Sequence, residues 1–345
     1  MTLVEVNMTT PISASAAPLL SVEDLRVEIG TSAGVVRPLE GVTLHIDRGE
    51  TLAVLGESGS GKSVMAQAIM ALLPRPNGRI SGGRIVYDGV DLARLPVKAV
   101  RKRCGTEIAM IFQDPLSSLN PVFRVGAQIA EPFRRRRGMG RREAKRRALE
   151  LLQRVGIPHA ARRIDDYPHQ FSGGQRQRIM IAIALALEPD LLIADEPTTA
   201  LDVTVQAQIM TLLAALQREH GMAMMLITHD LGVVADVADR AVIMYAGRIA
   251  ETGPIREVYE QPAHPYTEGL LGSIPSEAQP GERLRPIKGS PPSLLDLPRG
   301  CPFHPRCAYR TDRCVSETPV LRRPVGWSVA QLAACHRSEE VLEHD

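Results

Sequence analysis

Apolar and polar residues alternate in short runs from Leu20 to Asp47, a pattern typical of half-buried β-strands. The mostly apolar run 51–55 predicts a buried strand, and a helical period follows it from Lys62 to Leu73. Residues 1–19 show neither period and are rich in Thr, Ser, Ala and Pro, so we expect a mobile leader there.

Further along the chain, helical and strand patterns alternate. Residues from about 122 to 187 have helical periodicity, and we expect them to form a helical subdomain. Apolar strand runs follow at 191–194, 222–227 and 241–245, with a helical segment between the first two. This β–α–β alternation predicts a parallel sheet covered by helices, so the predicted fold class is α/β.

The composition changes near residue 255. Eleven of the 26 prolines lie between Pro254 and Pro305, and four of the five cysteines lie in the C-terminal part of the chain. Because proline interrupts helices and strands alike, we expect the regular fold to end here. The sequence therefore predicts one domain at 20–255 and a Cys/Pro-rich extension at 256–345.

The overall composition of the 345 residues, 44% hydrophobic and 23% charged, is that of a globular protein. The net charge of +2 shows no nucleic-acid footprint, so we expect no nucleic-acid partner. The longest apolar stretch, Ile179–Leu187, is shorter than the ~20 residues that a membrane span needs. The N-terminus lacks a signal-peptide pattern, and the five cysteines then favour a reducing, cytoplasmic compartment.

One segment departs from this charge balance. Residues 134–147 hold nine Arg and Lys residues and one acid. Such a segment binds an anionic partner, either a lipid surface or nucleic acid, or it is a solvated helical face. We favour the solvated face.

A phosphate-binding loop stands between the predicted buried strand and the helical segment. It fits the pattern G-x-x-x-x-G-K-[ST] and consists of Gly56, Glu57, Ser58, Gly59, Ser60, Gly61, Lys62 and Ser63. Glycines let backbone N–H groups surround phosphate oxygens, and the following helix directs its positive end at the same anion. Lys62 is expected to reach the β- and γ-phosphates, and the Ser63 hydroxyl to bind Mg²⁺. The sequence therefore predicts nucleotide binding.

An acidic pair, Asp195 and Glu196, follows the second buried strand. Asp195 is expected to lie on the Mg²⁺ side, and Glu196 to polarise an attacking water. A pair of solvated acids at a sheet edge is the alternative, and the upstream phosphate-binding loop makes us favour the catalytic interpretation.

The segment Phe171-Ser172-Gly173-Gly174-Gln175, together with these two motifs, resembles the signature of the ATP-binding-cassette (ABC) family, with Phe171 where Leu is more usual. Other motifs of the family follow the same order: Gln113 matches the Gln loop, Asp202 the D-loop and His229 the switch histidine. The resemblance covers residues 20–255. It implies an ABC nucleotide-binding domain of the P-loop NTPase type, with a RecA-like core, an antiparallel β subdomain and a helical subdomain.

The resemblance also implies roles for these residues. ATP with Mg²⁺ would lie between the phosphate-binding loop of one subunit and the signature residues Ser172, Gly173, Gly174 and Gln175 of another. Gln113 would contact Mg²⁺ or the water, Glu196 would act as general base, and His229 would hold the γ-phosphate. A departure concerns the base: no aromatic residue precedes Tyr87, so adenine would pack on an aliphatic side chain such as Ile29 or on the partner.

Residues 112–123 (FQDPLSSLNPVF) and the tail around 300–307 resemble the importer subfamily for oligopeptides, dipeptides and nickel. This resemblance implies a sister ATPase in a heterodimer, two membrane permease subunits and an external solute-binding protein. It places the chain peripherally on the cytoplasmic face of a bacterial inner membrane.

The four cysteines of the tail, Cys301, Cys307, Cys314 and Cys335, lack the tight C-x2–4-C pairs that zinc ribbons use. Four thiolates on an irregular segment suit a [4Fe–4S] cluster, and the subfamily tail resembles segments thought to hold one. Zn²⁺ and unmetallated thiols are the alternatives.

Other functional classes fit less well. Cassette ATPases of DNA repair interpose long coiled coils or zinc modules between the Gln loop and the signature, whereas Gln113 and Ser172 are 59 residues apart. Translation-factor cassettes carry two cassettes in a chain, and this sequence has one. A regulatory module that binds ATP without turnover would not need Glu196 and His229.

Overall fold

The computed structural model describes residues 17–114, 118–199, 201–273, 287–324 and 330–341. Most of the predicted leader lies outside these residues. The strands, in chain order, are β1 (Leu20–Thr31), β2 (Gly34–Ile46), β3 (Thr51–Leu55), β4 (Gly78–Tyr87), β5 (Val90–Asp91), β6 (Ile108–Ile111), β7 (Leu191–Asp195), β8 (Ala223–Thr228), β9 (Arg240–Tyr245), β10 (Arg248–Pro254) and β11 (Leu332–Ala333).

Helices connect these strands and cover the sheets. In the described ranges they are α1 (Lys62–Ile69), α2 (Val97–Arg103), α3 (Val125–Arg136), α4 (Arg141–Arg154), α5 (Ala160–Arg163), α6 (Gly173–Ala184), α7 (Val203–His220), α8 (Ile255–Glu260), α9 (Pro265–Leu271), α10 (Asp312–Ser316) and α11 (Ser338–Val341). Two short 3₁₀ helices lie at Leu92–Arg94 and Pro168–Gln170.

The larger sheet has the order β11-β10-β9-β3-β8-β7-β6. Strands β9, β3, β8, β7 and β6 are mutually parallel, whereas β10 and β11 are antiparallel additions at one edge. Every residue of β3, β7 and β8 is buried, because both faces of a parallel sheet are covered. The predicted α/β class is confirmed.

The smaller sheet is antiparallel, with the order β2-β1-β4-β5. Along β1, Val22, Leu25 and Val27 are buried in the core, while the residues between them are at least partly exposed. This sheet confirms the half-buried strands expected between residues 20 and 47.

Helix α1 ends earlier than its sequence pattern predicts. The expected helix runs to Leu73, whereas the observed helix ends at Ile69. Ala71 has a positive φ of 53°, which no α-helix allows, and Pro74 follows shortly after.

The helical segment contains α3 to α6, and several of its basic residues pair with neighbouring acids. Arg146 pairs with Glu143 and Glu150 at 2.5 Å, and Lys145 pairs with Asp165 at 2.7 Å. These partners lie on exposed surface, which is the arrangement expected of a solvated helical face.

The C-terminal extension packs onto the main sheet. Strand β11 pairs with β10, and Tyr266, Phe303 and Cys314 lie in the same hydrophobic cluster as Ile243 of β9. The division of the chain at residue 255 stays a prediction, since the extension shares this core.

A buried carboxylate links the extension to β10. Glu251 is fully buried, and its two oxygens accept hydrogen bonds from the backbone N–H groups of Ala263 at 2.8 Å and His264 at 3.0 Å, and from Gln331 Nε2. Burial raises the pKa of Glu251 to about 7 despite these donors.

We expect Glu251→Gln to lower the free energy of unfolding by about 1–3 kcal/mol at pH 8, because an amide N–H would face backbone donors. The raised pKa means that Glu251 binds a proton more tightly in the folded wild-type protein than in the unfolded chain. It therefore gains stability from Glu251 as the pH falls from about 7 toward 4.5, the ordinary pKa. The variant lacks that gain, so the difference between the two widens. Denaturant unfolding at pH 5, 6.5 and 8 measures it.

The exposed Glu260, which pairs with Arg256, provides the control. Glu260→Gln is expected to change the free energy of unfolding by less than about 0.5 kcal/mol. Equal losses in both variants would contradict the role of Glu251.

Candidate nucleotide-binding site

The carboxyl ends of four neighbouring parallel strands lie at one edge of the larger sheet. In spatial order these strands are β3, β8, β7 and β6. The phosphate-binding loop follows β3, His229 follows β8, Asp195 ends β7 with Glu196 directly after it, and Gln113 follows β6. The structure therefore brings the candidates from four separate parts of the sequence to one edge, where open α/β sheets bind ligands.

The phosphate-binding loop depends on glycine backbone geometry. Gly56 has φ of +145°, and a Cβ there would lie 2.2 Å from the Met244 carbonyl oxygen. Gly61 has φ of +106°, and its Cβ would lie 2.4 Å from the Pro38 carbonyl oxygen. Neither position accepts a side chain, so the loop closes against β9 and β2.

Lys62 begins α1, and its amine points back into the loop. Its Nζ donates to the carbonyl oxygens of Gly56 at 2.7 Å and Glu57 at 2.9 Å. Burial lowers the pKa of Lys62, while the carboxylates of Glu196 and Asp195 oppose this change. The amine is thus held by carbonyl oxygens that a phosphate can replace.

Ser63 and Asp195 meet between α1 and β7. The Ser63 hydroxyl donates to Asp195 Oδ1 at 2.9 Å. Burial raises the pKa of Asp195, so a cation at this position would stabilise its charged form. A hydroxyl and a carboxylate side by side are oxygen ligands of the kind that Mg²⁺ prefers, and the pair fits that ion.

Glu196 lies at the centre of a hydrogen-bonded group. Its Oε2 accepts from Gln113 Nε2 at 2.7 Å and from the Thr199 hydroxyl at 2.8 Å, and its Oε1 lies 3.5 Å from His229 Nδ1. Glu196 has a positive φ of 48°, a strained conformation for a residue with a side chain. The structure therefore joins all three predicted catalytic residues, and it adds Thr199.

Thr199 was missed because its hydroxyl reaches Glu196 only through the turn that follows β7. Its position three residues after Glu196 was the available signal, since Ser and Thr hydroxyls often bond residues at that separation.

The signature segment begins α6. Ser172 caps this helix, since its hydroxyl accepts from the Gln175 N–H at 3.3 Å, and Gln175 Oε1 accepts from the Ser172 N–H at 3.2 Å. Gly174 lies against α7, where a Cβ would come within 2.6 Å of Val205. In the described part of the chain, Ser172 and Gln175 form hydrogen bonds with each other and with Arg163, and none of these bonds reaches the phosphate-binding loop.

Phe171, the departure from the usual signature, has a structural partner. The Arg163 guanidinium lies 4.0 Å from the centre of the Phe171 ring and donates to Gln175 Oε1 at 3.1 Å. An aromatic ring at this position therefore holds an arginine that in turn orients the signature glutamine.

Two further predicted residues have simple local settings. Asp202 caps α7 and accepts from the Val205 N–H at 3.0 Å. Ile29 is partly buried and packs against the core of the antiparallel sheet. Its contact with a base stays a prediction.

The four cysteines of the extension line one small cavity. Cys301, Cys307, Cys314 and Cys335 surround it together with His264, His304 and His336. Burial raises the pKa of Cys307 to about 11 and that of Cys335 to about 12, so both are neutral thiols at pH 7 in this arrangement.

Four cysteine thiols are suitable ligands for a four-thiolate metal centre. In this structure, however, they are not arranged as a metal site. Among the described residues, no three His, Cys, Asp or Glu side chains form a group that could hold a metal ion. The cavity measures about 10 Å³, room for about one water, so a four-iron cluster would require the thiols to move apart. The predicted iron–sulfur cluster is therefore not supported by the geometry.

Comparisons with known proteins agree with the site. Residues 39–199 match the family described as ABC transporter, and residues 250–314 match that described as Oligopeptide/dipeptide transporter, C-terminal region. The dipeptide transport ATP-binding protein DppD of Bacillus subtilis is 51% identical over 86% of this chain and 88% of its own. A Brucella abortus protein, named as a candidate peptide import ATP-binding protein, is 52% identical over 90% of this chain and 93% of its own.

The fold has close counterparts among solved structures. The ATP-binding cassette MJ0796, in a dimeric post-hydrolysis state bound to ADP and Pi, has a TM-score of 0.62 at 30% identity, covering 69% of this chain and 99% of its own. The cbiO1 protein of Clostridium perfringens, part of the ABC transporter complex cbiONQ, has a TM-score of 0.60 at 31% identity, covering 71% and 91%.

The chain belongs to the ABC transporter ATPase family, with a C-terminal region of the oligopeptide/dipeptide-transporter type. The resemblance and the fold class predicted from the sequence are confirmed, and the enzyme is an ATPase. Among the described helices, none combines the length and hydropathy that crossing a bilayer requires.

Substitution of glycines in the phosphate-binding loop tests whether Gly56 is required by its close approach to the Met244 carbonyl. Gly56→Ala is expected to lower the free energy of unfolding by more than about 3 kcal/mol, because strain at positive φ adds to a clash with the Met244 carbonyl. Gly59 also has a positive φ, +79°, but a Cβ there meets nothing within 4 Å. Gly59→Ala is therefore expected to cost only about 1 kcal/mol. Denaturant unfolding without nucleotide measures both, and equal losses would contradict the close approach at Gly56.

Proposed function

We propose that the chain is the ATP-hydrolysing subunit of an importer for di- or oligopeptides or a similar small solute. The hydrogen-bonded group around Glu196 carries the assignment of hydrolysis. The names of the Bacillus and Brucella relatives support a peptide cargo. Residues 20–255 would form the ATPase domain, with the helical subdomain at about 122–187, and residues 256–345 the extension.

The roles of the chain's residues follow from their positions. Backbone N–H groups of the phosphate-binding loop other than that of Glu57 would bind the phosphates, and the Lys62 amine would move from the loop carbonyls to the phosphate oxygens. Ser63, Asp195 and Gln113 would hold Mg²⁺, which supplies charge neutralisation at the phosphates. Glu196 would accept a proton from water at Oε2 or Oε1, and His229 would donate to the γ-phosphate.

The active assembly would be a nucleotide-sandwich dimer, and the signature segment supports this proposal. Ser172 and its glycines form the N-terminus of α6, an anion-binding element, and the hydrogen bonds of Ser172 and Gln175 do not reach the loop of the same subunit. This arrangement supports ATP binding by the signature of the opposing subunit, with Asp202 beside it. The opposing subunit would be a sister ATPase.

The remaining partners would be two membrane permease subunits and an external solute-binding protein. The chain would bind the permeases peripherally at the cytoplasmic face of a bacterial inner membrane. The relation to cbiO1, part of a transporter complex, supports permease partners.

We expect Glu196→Gln to lower ATP turnover by at least about 100-fold, since general-base catalysis contributes that much. The variant keeps an oxygen for Gln113 and Thr199, so ATP binding is expected to persist and an ATP-bound dimer to accumulate with the sister chain. Phosphate release and light scattering measure the two effects.

The control for this experiment is Glu188→Gln, at an exposed position after α6. It is expected to leave turnover unchanged. Wild-type turnover in Glu196→Gln would show that another group activates the water.

We also propose that the four thiols of the extension bind a metal centre, with a [4Fe–4S] cluster as the first assignment and Zn²⁺ as the alternative. Their convergence on one cavity supports this, because four thiols at one place can lose their protons together when a bound cation balances the charge. The role would be structural.

Protein purified without oxygen is expected to contain about four iron and four sulfide per chain, with absorption near 400 nm that Cys301→Ser abolishes. Cys104→Ser, which lies outside the cavity, is the control and is expected to retain the absorption. One zinc without sulfide would identify the alternative, and absence of metal would overturn both.

A further inference from the structure

The C-terminal extension contacts the phosphate-binding loop at Glu57. Arg306 donates two hydrogen bonds to the Glu57 carboxylate, from Nη1 to Oε2 at 2.6 Å and from Nη2 to Oε1 at 2.9 Å. The Arg306 side chain is 5% exposed and that of Glu57 is 26% exposed, so water has only partial access to the pair. A bidentate pair fixes the orientation of both partners.

The backbone of Glu57 is held as well. Its N–H donates to the hydroxyl of Tyr266 at 2.8 Å, and Tyr266 is a fully buried residue of the extension. Its carbonyl oxygen accepts from Lys62 Nζ at 2.9 Å. The extension therefore holds the amide and the side chain of Glu57, while the carbonyl faces the amine that would reach the phosphates.

Arg306 itself is held between the extension and β9. It stands between Cys301 and Cys307, and its guanidinium lies 5.8 Å from the ring centre of Tyr245 and 5.9 Å from that of Phe303. The segment that carries two of the cavity's thiols is therefore the segment that reaches the phosphate-binding loop.

We propose that Arg306 is a positioning residue for ATP binding, which neutralises and orients Glu57 so that the loop accepts phosphates. Without Arg306, the Glu57 carboxylate would place an unpaired negative charge in the loop that receives a polyanion. This inference rests on the proposed role of residues 56–63 in ATP binding.

The test measures the dissociation constant of Mg-ATP for the full chain. Arg306→Met is expected to weaken binding about tenfold, within the usual range of coupling between sites. The double variant with Glu57→Gln is expected to bind within about twofold of Glu57→Gln alone, because no charge is left to neutralise. If Arg306 acted in folding alone, the double variant would bind Mg-ATP more weakly than Glu57→Gln by the same factor that separates Arg306→Met from the wild type.

A matched control exists in the same extension. Arg322 forms a bidentate pair with Glu339, at 2.6 and 3.0 Å, within the extension itself. Arg322→Met is expected to leave ATP affinity unchanged. Hydrogen exchange provides a second readout: amides of residues 56–61 are expected to exchange faster in Arg306→Met than in Arg322→Met.

If Arg306→Met fails to fold, Arg306→Lys carries the test. Lysine keeps the charge but lacks the two parallel donors, so a loss of about threefold in affinity is expected. Unchanged ATP affinity in the folded Arg306 variant, or equal weakening in Arg322→Met, would overturn the inference. Lys62→Ala distinguishes failure of the Arg306 inference from failure of the proposed ATP site. If Lys62→Ala also binds ATP normally, the proposed site itself is wrong.

Discussion

The site depends on the register of parallel strands at one edge of the larger sheet. Leu55 of β3 lies beside Thr228 of β8, and Ile227 of β8 lies beside Asp195 of β7. Because neighbouring parallel strands end together, the residues that follow them lie side by side at one edge of the sheet. A shift of one strand would separate the phosphate-binding loop from the acids.

That edge concentrates features that are unfavourable in isolation. Glu196 has a strained backbone conformation, and Lys62 is a buried amine whose pKa burial lowers. The fully buried strands beneath supply the stability that keeps such features in place. Lys62 donates hydrogen bonds to carbonyl oxygens of the loop, so its buried amine is not left without partners.

The extension packs into the same hydrophobic core as the main sheet, and polar side chains also connect the two. Glu251 ties β10 to the segment before α9, and Arg306 reaches the phosphate-binding loop. Glu251 also bonds Gln331, 80 positions along the chain, and Arg306 bonds Glu57, 249 positions away, so buried charged groups join distant parts of the sequence. Such groups are costly without partners, so they couple the folding of the extension to that of the ATPase core.

The sequence by itself determined the α/β class, and it predicted the phosphate-binding loop and the two acids, because these depend on local periodicity and on short motifs. It also predicted roles for Gln113 and His229, although only through resemblance. The tertiary structure alone decided that Thr199 bonds Glu196, that Arg163 stacks on Phe171, and that α1 ends at Ile69. The contact of Arg163 with Phe171 arises from packing of α5 against the segment before α6, which no local pattern records. The Thr199 bond forms within the turn after β7, where a spacing of three residues was the local signal. The pairing of Arg306 with Glu57 spans 249 positions of the chain, so only the folded core brings the two together.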